Sequence, residues 1–167
     1  KIKHRQFDLI ESGAQTGTIK SRSDWLLPSG KKVLDEFREV RIHKRNKSRV
    51  MDFIIQLTAV NGPVKFGDTK EGSFGIRLAR FFTEKEGAII LNSEGKTGET
   101  GCWGKAARWV DYSTKISQES LGITILDHPQ SFRHPTYWHA RGYSLFAANP
   151  FGLHDFYNDK TQDGSHL

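Results

Sequence analysis

Chemistry-bearing residues are densest between Asp127 and Arg141, in the stretch DHPQSFRHPTYWHAR. It holds His128, His134 and His139, Arg133 and Arg141, Asp127, Tyr137 and Trp138, with Pro129 and Pro135 stiffening the path. Proline fixes φ and pushes the residue before it toward extended backbone, so His128 and His134 are each presented from a restrained, non-helical chain. An imidazole exchanges protons near neutral pH, and a guanidinium donates a fork of hydrogen bonds to a carboxylate, a phosphate or a polarised hydroxyl. Together they suit an oxygen-rich ligand, neutral or anionic. Three histidines also invite a divalent metal at His128, His134 and His139. Their spacing matches no tight ligand code, and Arg133 and Arg141 would repel a cation, so no metal is expected there. A third reading is structural, with the arginines pairing Asp127, Asp111 and Asp155.

Other candidates lie further back. Glu71 and Asp68 stand in the glycine-bounded turn GDTKEG, where either could serve as a carboxylate base; the plainer roles are a turn cap for Asp68 and solvation for Glu71. Arg77 opposes the apolar face of the strand that follows. Trp103, Trp109, Trp138 and Tyr112 offer flat faces for sugar rings, and Trp103 sits in the polar glycine-rich loop NSEGKTGETGCWG, where core burial is less expected. No GxSxG elbow, P-loop or GxGxxG is present, which argues against acyl transfer and nucleotide binding.

The elements that must hold these residues read as strands. Thr16 to Leu27, Lys32 to His43 and Arg49 to Val60 are long, separated by Pro28-Ser29-Gly30 and by the basic run RIHKRNKSR, so hairpins are expected. Met51, Phe53, Ile55, Leu57 and Ala59 alternate with Asp52, Ile54, Gln56 and Thr58, the period of a strand with one face on a core. Leu34 to Ile42 mixes charge into its apolar set, as in a strand that leads to a pocket or to solvent. Ser73 to Phe82, Ala88 to Leu91, Ala106 to Tyr112, Leu121 to Asp127 and Tyr143 to Ala148 follow as shorter strands. Leu121 to Asp127 ends at His128, which is placed facing the site. Helical periodicity is nearly absent. The fold class is all-β, an antiparallel sandwich with little or no helix, as one domain over residues 1–157; the polar tail 158–167 is expected to fray.

At 167 residues the chain has enough mass for one core, and its net charge of +6 is spread rather than massed. Only the basic run is dense; it lacks interleaved aromatics and reads as a solvated hairpin connection, so no nucleic-acid partner is expected. Cys102 stands alone, which excludes an internal disulfide and a multi-thiolate zinc site. No run approaches the roughly 20 apolar residues needed to span a bilayer, and the opening KIKHRQFDL is not a signal peptide, so a soluble protein is expected, with no membrane partner.

Four segments, SRSDWLLPSGKKVLDE, GPVKFGDTKEGSFGIRLA, LNSEGKTGETGCWGKAARWVDYS and GITILDHPQSFRHPTYWHARGYSLFAANPFG, resemble the bacterial PmoA-like family, whose label of methane oxygenase conflicts with the absence of a membrane span. The family is similar to the galactose-mutarotase-like supersandwiches. That resemblance implies an N-terminal part with further histidines preceding this stretch, and a carbohydrate-active protein. It also implies Glu71 or Asp68 as base, His128 or His139 as acid, and Arg77 or Arg141 orienting the ligand. The reading is a saccharide-binding protein whose acid-base residues are His128, His139 and Glu71, with Asp68, Arg77, Trp103, Arg133, His134, Trp138 and Arg141 on the ligand. The alternatives are a sugar-binding module without turnover and a metal-dependent enzyme. A homo-oligomer, or the preceding segment, would cover the open strand edges.

Overall fold

The computed structural model describes residues 1–167, and the chain divides into two compact units, Lys1–Val64 with Leu167, and Lys65–His166.

The first unit is one antiparallel sheet in the order β1-β2-β3-β4, with β1 Ile2–Glu11, β2 Thr16–Leu26, β3 Lys32–Lys44 and β4 Arg49–Ala59. The three long strands and their hairpins fall where turn chemistry predicts them. Gly30 closes the β2–β3 turn at φ +84, a conformation glycine adopts without a Cβ penalty. Opposed residues share a face, so the register sorts the side chains. One face carries Ile2, Trp25, Leu34 and Ala59, then Ile10, Ile19, Val40 and Phe53. The other carries ion pairs: Lys32 to Asp24 at 2.7 Å, Arg22 to Asp8 at 2.7 Å, and Glu39 to Arg41 at 2.5 Å and Lys20 at 3.6 Å. Two register shifts in the edge strand β1 fall around Arg5 and Asp8, whose side chains both join these pairs.

One expectation for β4 is corrected. The alternation marks a strand, but its apolar face does not bury: Met51 is 51%, Phe53 45% and Ile55 39% exposed. A period of two says which side is apolar and not what covers it. Glu36 and Arg38 stand in the middle of that face as an ion pair at 2.7 Å, and the Trp25 indole N–H donates to Glu36 at 2.7 Å.

The second unit holds two three-stranded antiparallel sheets. One has the order β5-β10-β9, with β5 Phe74–Arg77, β9 Tyr137–Ala140 and β10 Leu145–Asn149. The other has the order β6-β7-β8, with β6 Ile89–Asn92, β7 Trp109–Ile116 and β8 Glu119–Leu126. Ile90, Val110 and Tyr112 of one sheet and Trp138, Ala140 and Phe146 of the other form one buried cluster, and the Tyr112 ring stacks on Phe146 at 4.4 Å. The all-β antiparallel class read from the sequence is the class observed.

Three local expectations change. Ser73 to Phe82 ends as strand at Arg77 and turns into a single 3-10 turn, Arg80–Phe82, which buries Phe82. The glycine-rich loop contains a one-turn helix, α1 Gly98–Cys102, and a second, α2 Leu153–Tyr157, follows β10. The stretch from Asp127 to Arg141 is loop only in its first part; its second part is β9, hydrogen-bonded to β10. His134-Pro135 is cis. The closing residues are tied by pairing of Phe66 with His166 and by hydrogen bonds from Arg133 to the carbonyls of Gly164 and Ser165.

A candidate binding site around His139

The outer face of the β5-β10-β9 sheet gathers most of the relevant chemistry. Inward residues of these strands, Trp138, Ala140, Phe146 and Ile76, fill or pack on the core, so Tyr137, His139, Ala147, Gly75 and Arg77 turn outward. His139 lies opposite Ala147, and Ala147 opposite Gly75, giving a floor of small residues beside the imidazole.

Two loops cross this floor. Residues Thr69 to Ser73 lie directly on it, held by Asn149 Nδ2 donating to the Thr69 carbonyl at 2.8 Å and by Ser73 N–H donating to the Ala148 carbonyl at 3.2 Å. Glycine is required at 72 because an added Cβ would come within 2.9 Å of Asn149 Cβ and 3.0 Å of Ala147 Cβ. This approach brings Lys70 and Glu71 into range of His139. From the other side α1 delivers Trp103, whose indole N–H donates to His139 Nδ1 at 3.3 Å and whose ring meets Phe156 edge-on at 5.4 Å.

His139 is 4% exposed, and burial is the main cause lowering its pKa below 6.5; the charges of Arg141 and Lys70 push the same way, against Glu71 and Glu99. With Trp103 donating to Nδ1, the neutral ring carries its proton on Nε2. That N–H donates to no protein group.

Past β9, Arg141 pairs with Glu99 at 3.0 Å, and its guanidinium lies 5.8 Å from the Trp103 ring centre and 5.5 Å from that of Tyr143. Arg141 Nε is buried without a partner. Arg77 reaches the same Tyr143 ring at 5.2 Å and makes no ion pair. Glu99 also accepts the Gly142 N–H at 2.6 Å, and the Glu84 carboxylate accepts the Glu99 N–H at 3.1 Å. A Cβ at position 142 would displace the Glu84 carboxylate from its place beside Glu99. An open groove of about 640 Å³, lined by Arg80, Thr83, Glu84, Lys85, Glu86, Gly142 and Tyr143, begins here. A second hollow, about 350 Å³, is lined by Leu91, Trp109, Asp111, Thr124 and Leu126 on the other sheet.

Of the residues singled out in the sequence, His139, Trp103, Arg141, Arg77 and Glu71 therefore come together. The remaining ones do not join them. His134 binds Asp127 at 2.7 Å, and the same carboxylate oxygen accepts the Thr136 N–H at 2.9 Å, which braces the turn into β9. His128 is exposed, its Nδ1 accepting the Gln130 N–H at 3.2 Å. The three histidines form no group able to hold a metal ion. Arg133 spends its donors on the carbonyls of Pro150, Gly164 and Ser165 and stacks on Phe132. Asp68 accepts the N–H groups of His154 and Gly164, and its other oxygen is 3.1 Å from His154 Nδ1, an anchor rather than a free base. Trp138 is fully buried and donates to the Ala107 carbonyl at 2.8 Å.

Glu99, Tyr143 and the aromatics of α2 escaped the sequence reading. An acid between glycines in a polar loop looks like ordinary solvation, and only the fold shows it against Arg141. The Tyr137 and Tyr157 hydroxyls meet at 2.6 Å, which with burial pushes the Tyr137 phenol up to about 12. Cys102 is buried, donates to the Lys96 carbonyl at 3.3 Å and is pushed up to about 11 by burial, as expected of an unreactive thiol.

Fold and site together define an antiparallel β protein with a polar, partly sealed surface site on one sheet. A family model described as a family of unknown function, DUF6807, matches residues 1–166. The chain belongs to that family. No curated protein and no solved structure matches it.

Proposed function

We propose that the chain binds a saccharide on the outer face of the β5-β10-β9 sheet, with the His139 Nε2–H as its fixed central donor. What supports the reading is the state of that imidazole. It is nearly buried, held neutral, locked in one tautomer by Trp103 and left with one free N–H. A neutral donor ringed by guanidinium, ammonium and carboxylate groups matches the mixed donors and acceptors of sugar hydroxyls. The likeness of the sequence to PmoA-like and galactose-mutarotase-like proteins points the same way.

Binding fits this geometry better than proton transfer through His139. As a base, Nε2 would need a lone pair, which forces a proton onto Nδ1 against the Trp103 N–H. As an acid, the ring would need a second proton that burial disfavours. Turnover has one observation on its side: Glu71, whose charge reaches His139 from the crossing loop, is a carboxylate and so a group able to take a proton. In that version Glu71 is the base and His139 the orienting donor.

The test is calorimetric titration of the whole chain with neutral and acidic mono- and oligosaccharides. A bound sugar should lose about tenfold in affinity with His139→Phe, the cost of one hydrogen bond. Circular dichroism and a second substitution, Glu71→Gln, separate misfolding from lost contact. If no saccharide binds, or if His139→Phe binds as well as the natural chain, the reading fails. Product formation abolished by Glu71→Gln would favour turnover.

A further inference from the structure

The charges that act on His139 are of both signs, Lys70 and Arg141 against Glu71 and Glu99. Arg77 stands outside this set and has no carboxylate partner. It extends from the outer face of β5, opposite Leu145, and finds only the ring of Tyr143, with no carboxylate in bridging reach. Arg141 approaches that same ring and carries the buried Nε without an acceptor. A buried guanidinium nitrogen lacking an acceptor costs free energy, as does any desolvated donor left unpaired. The cluster therefore lacks acceptor oxygens for these two guanidinium groups.

From this we infer that the ligand is an acidic saccharide, a uronate whose single carboxylate is held by Arg77 beside Tyr143, with the sugar hydroxyls toward His139 and Glu71. The inference rests on the saccharide reading and narrows it. A carboxylate fits better than a phosphate, because a second negative charge would face Glu71, Glu99 and Glu84. The site is also open at one end. The groove of about 640 Å³ starts at Gly142 and Tyr143 and carries Lys85, exposed and without an ion pair, so further uronate units have somewhere to lie.

The experiment compares matched sugars on the whole chain: galacturonate and glucuronate oligomers, their neutral galactose and glucose counterparts, a sugar phosphate, and acetate alone. The uronates are expected to bind about tenfold or more tightly than the neutral partners, with affinity falling as salt rises. Arg77→Gln lies on the exposed side of a short strand and leaves the core untouched. It should erase the uronate preference, lowering uronate affinity about tenfold more than that of the neutral sugars. Equal binding of neutral and acidic sugars, or an unchanged preference in Arg77→Gln, overturns the acidic assignment and leaves the saccharide reading standing. Tighter binding of the sugar phosphate overturns the carboxylate assignment. Acetate competing as well as the uronate would show an anion site without sugar recognition, and no binding by any sugar removes both readings.

Discussion

At the scale of single residues the Trp103 N–H on His139 Nδ1 sets which ring nitrogen carries the proton. Its removal has a definite sign. In Trp103→Phe the donor that opposes protonation is gone, so His139 should titrate at higher pH than in the natural chain. The pH dependence of its ring proton signals in nuclear magnetic resonance measures this directly, and an unchanged midpoint would mean that burial and the neighbouring charges set the shift without Trp103. The same depressed pKa links to stability. The unfolded chain takes up the proton near 6.5 and the folded chain only at lower pH, so the contribution is complete above about 6.5 and is lost as pH falls through that value, levelling below the folded pKa. Chemistry-bearing residue types were legible from the sequence; their partners were not. His128, His134 and His139 look alike in a string, yet one points to solvent, one braces a turn through Asp127 and one faces the site. A histidine's role is set by the element that carries it, and the sequence gives no warning that Pro135 ends the loop and a strand begins two residues later.

At the scale of elements the crossing of the Thr69–Ser73 segment over β10 decides whether a site exists. The segment is held by few hydrogen bonds and by the absence of a side chain at position 72. Gly72→Ala would set a methyl group against Ala147 and Asn149, lifting Glu71 and Lys70 from the floor. Overpacking of this kind typically costs about 1–3 kcal/mol, to be read as a lower urea midpoint at unchanged slope. Any affinity for saccharide should fall with it, while Gly67→Ala, where an added Cβ meets nothing within 4 Å, should change neither. Equal effects of the two substitutions would mean that the crossing does not position the site. The strands of the first unit were the most legible elements, because long period-two runs between strong turn signals leave little choice of register. β9 and the two single-turn helices were the least legible. Four or five residues carry no period, and proline, histidine and tryptophan in sequence say more about stiffness than about ladder pairing.

At the scale of the whole molecule burial and hydrogen bonding are distributed differently in the two units. The first has the longer strands, β2 of 11 and β3 of 13 residues, each paired to a neighbour on both sides. Its contribution to buried apolar side chains is small, Leu34 alone, and Glu36 and Glu39 are its buried acids. The second has short strands, yet it contains the entire core cluster around Tyr112, Trp138 and Phe146. If ladders set local stability, amides of β2 and β3 should exchange most slowly. If burial does, as the dominance of the hydrophobic term requires, β7 and β10 should outlast them despite having fewer paired residues. The expected result of hydrogen exchange followed by mass spectrometry is slower exchange in β7 and β10, and a difference of about 1.4 kcal/mol in opening free energy is enough for a tenfold gap in rate. Exchange slowest in β2 and β3 would show instead that ladder pairing outweighs burial, or that the apolar face bearing Ile10, Met51, Phe53 and Ile55 is covered in solution; one-sided oxidative labelling of Met51, blocked only by a cover, separates the two.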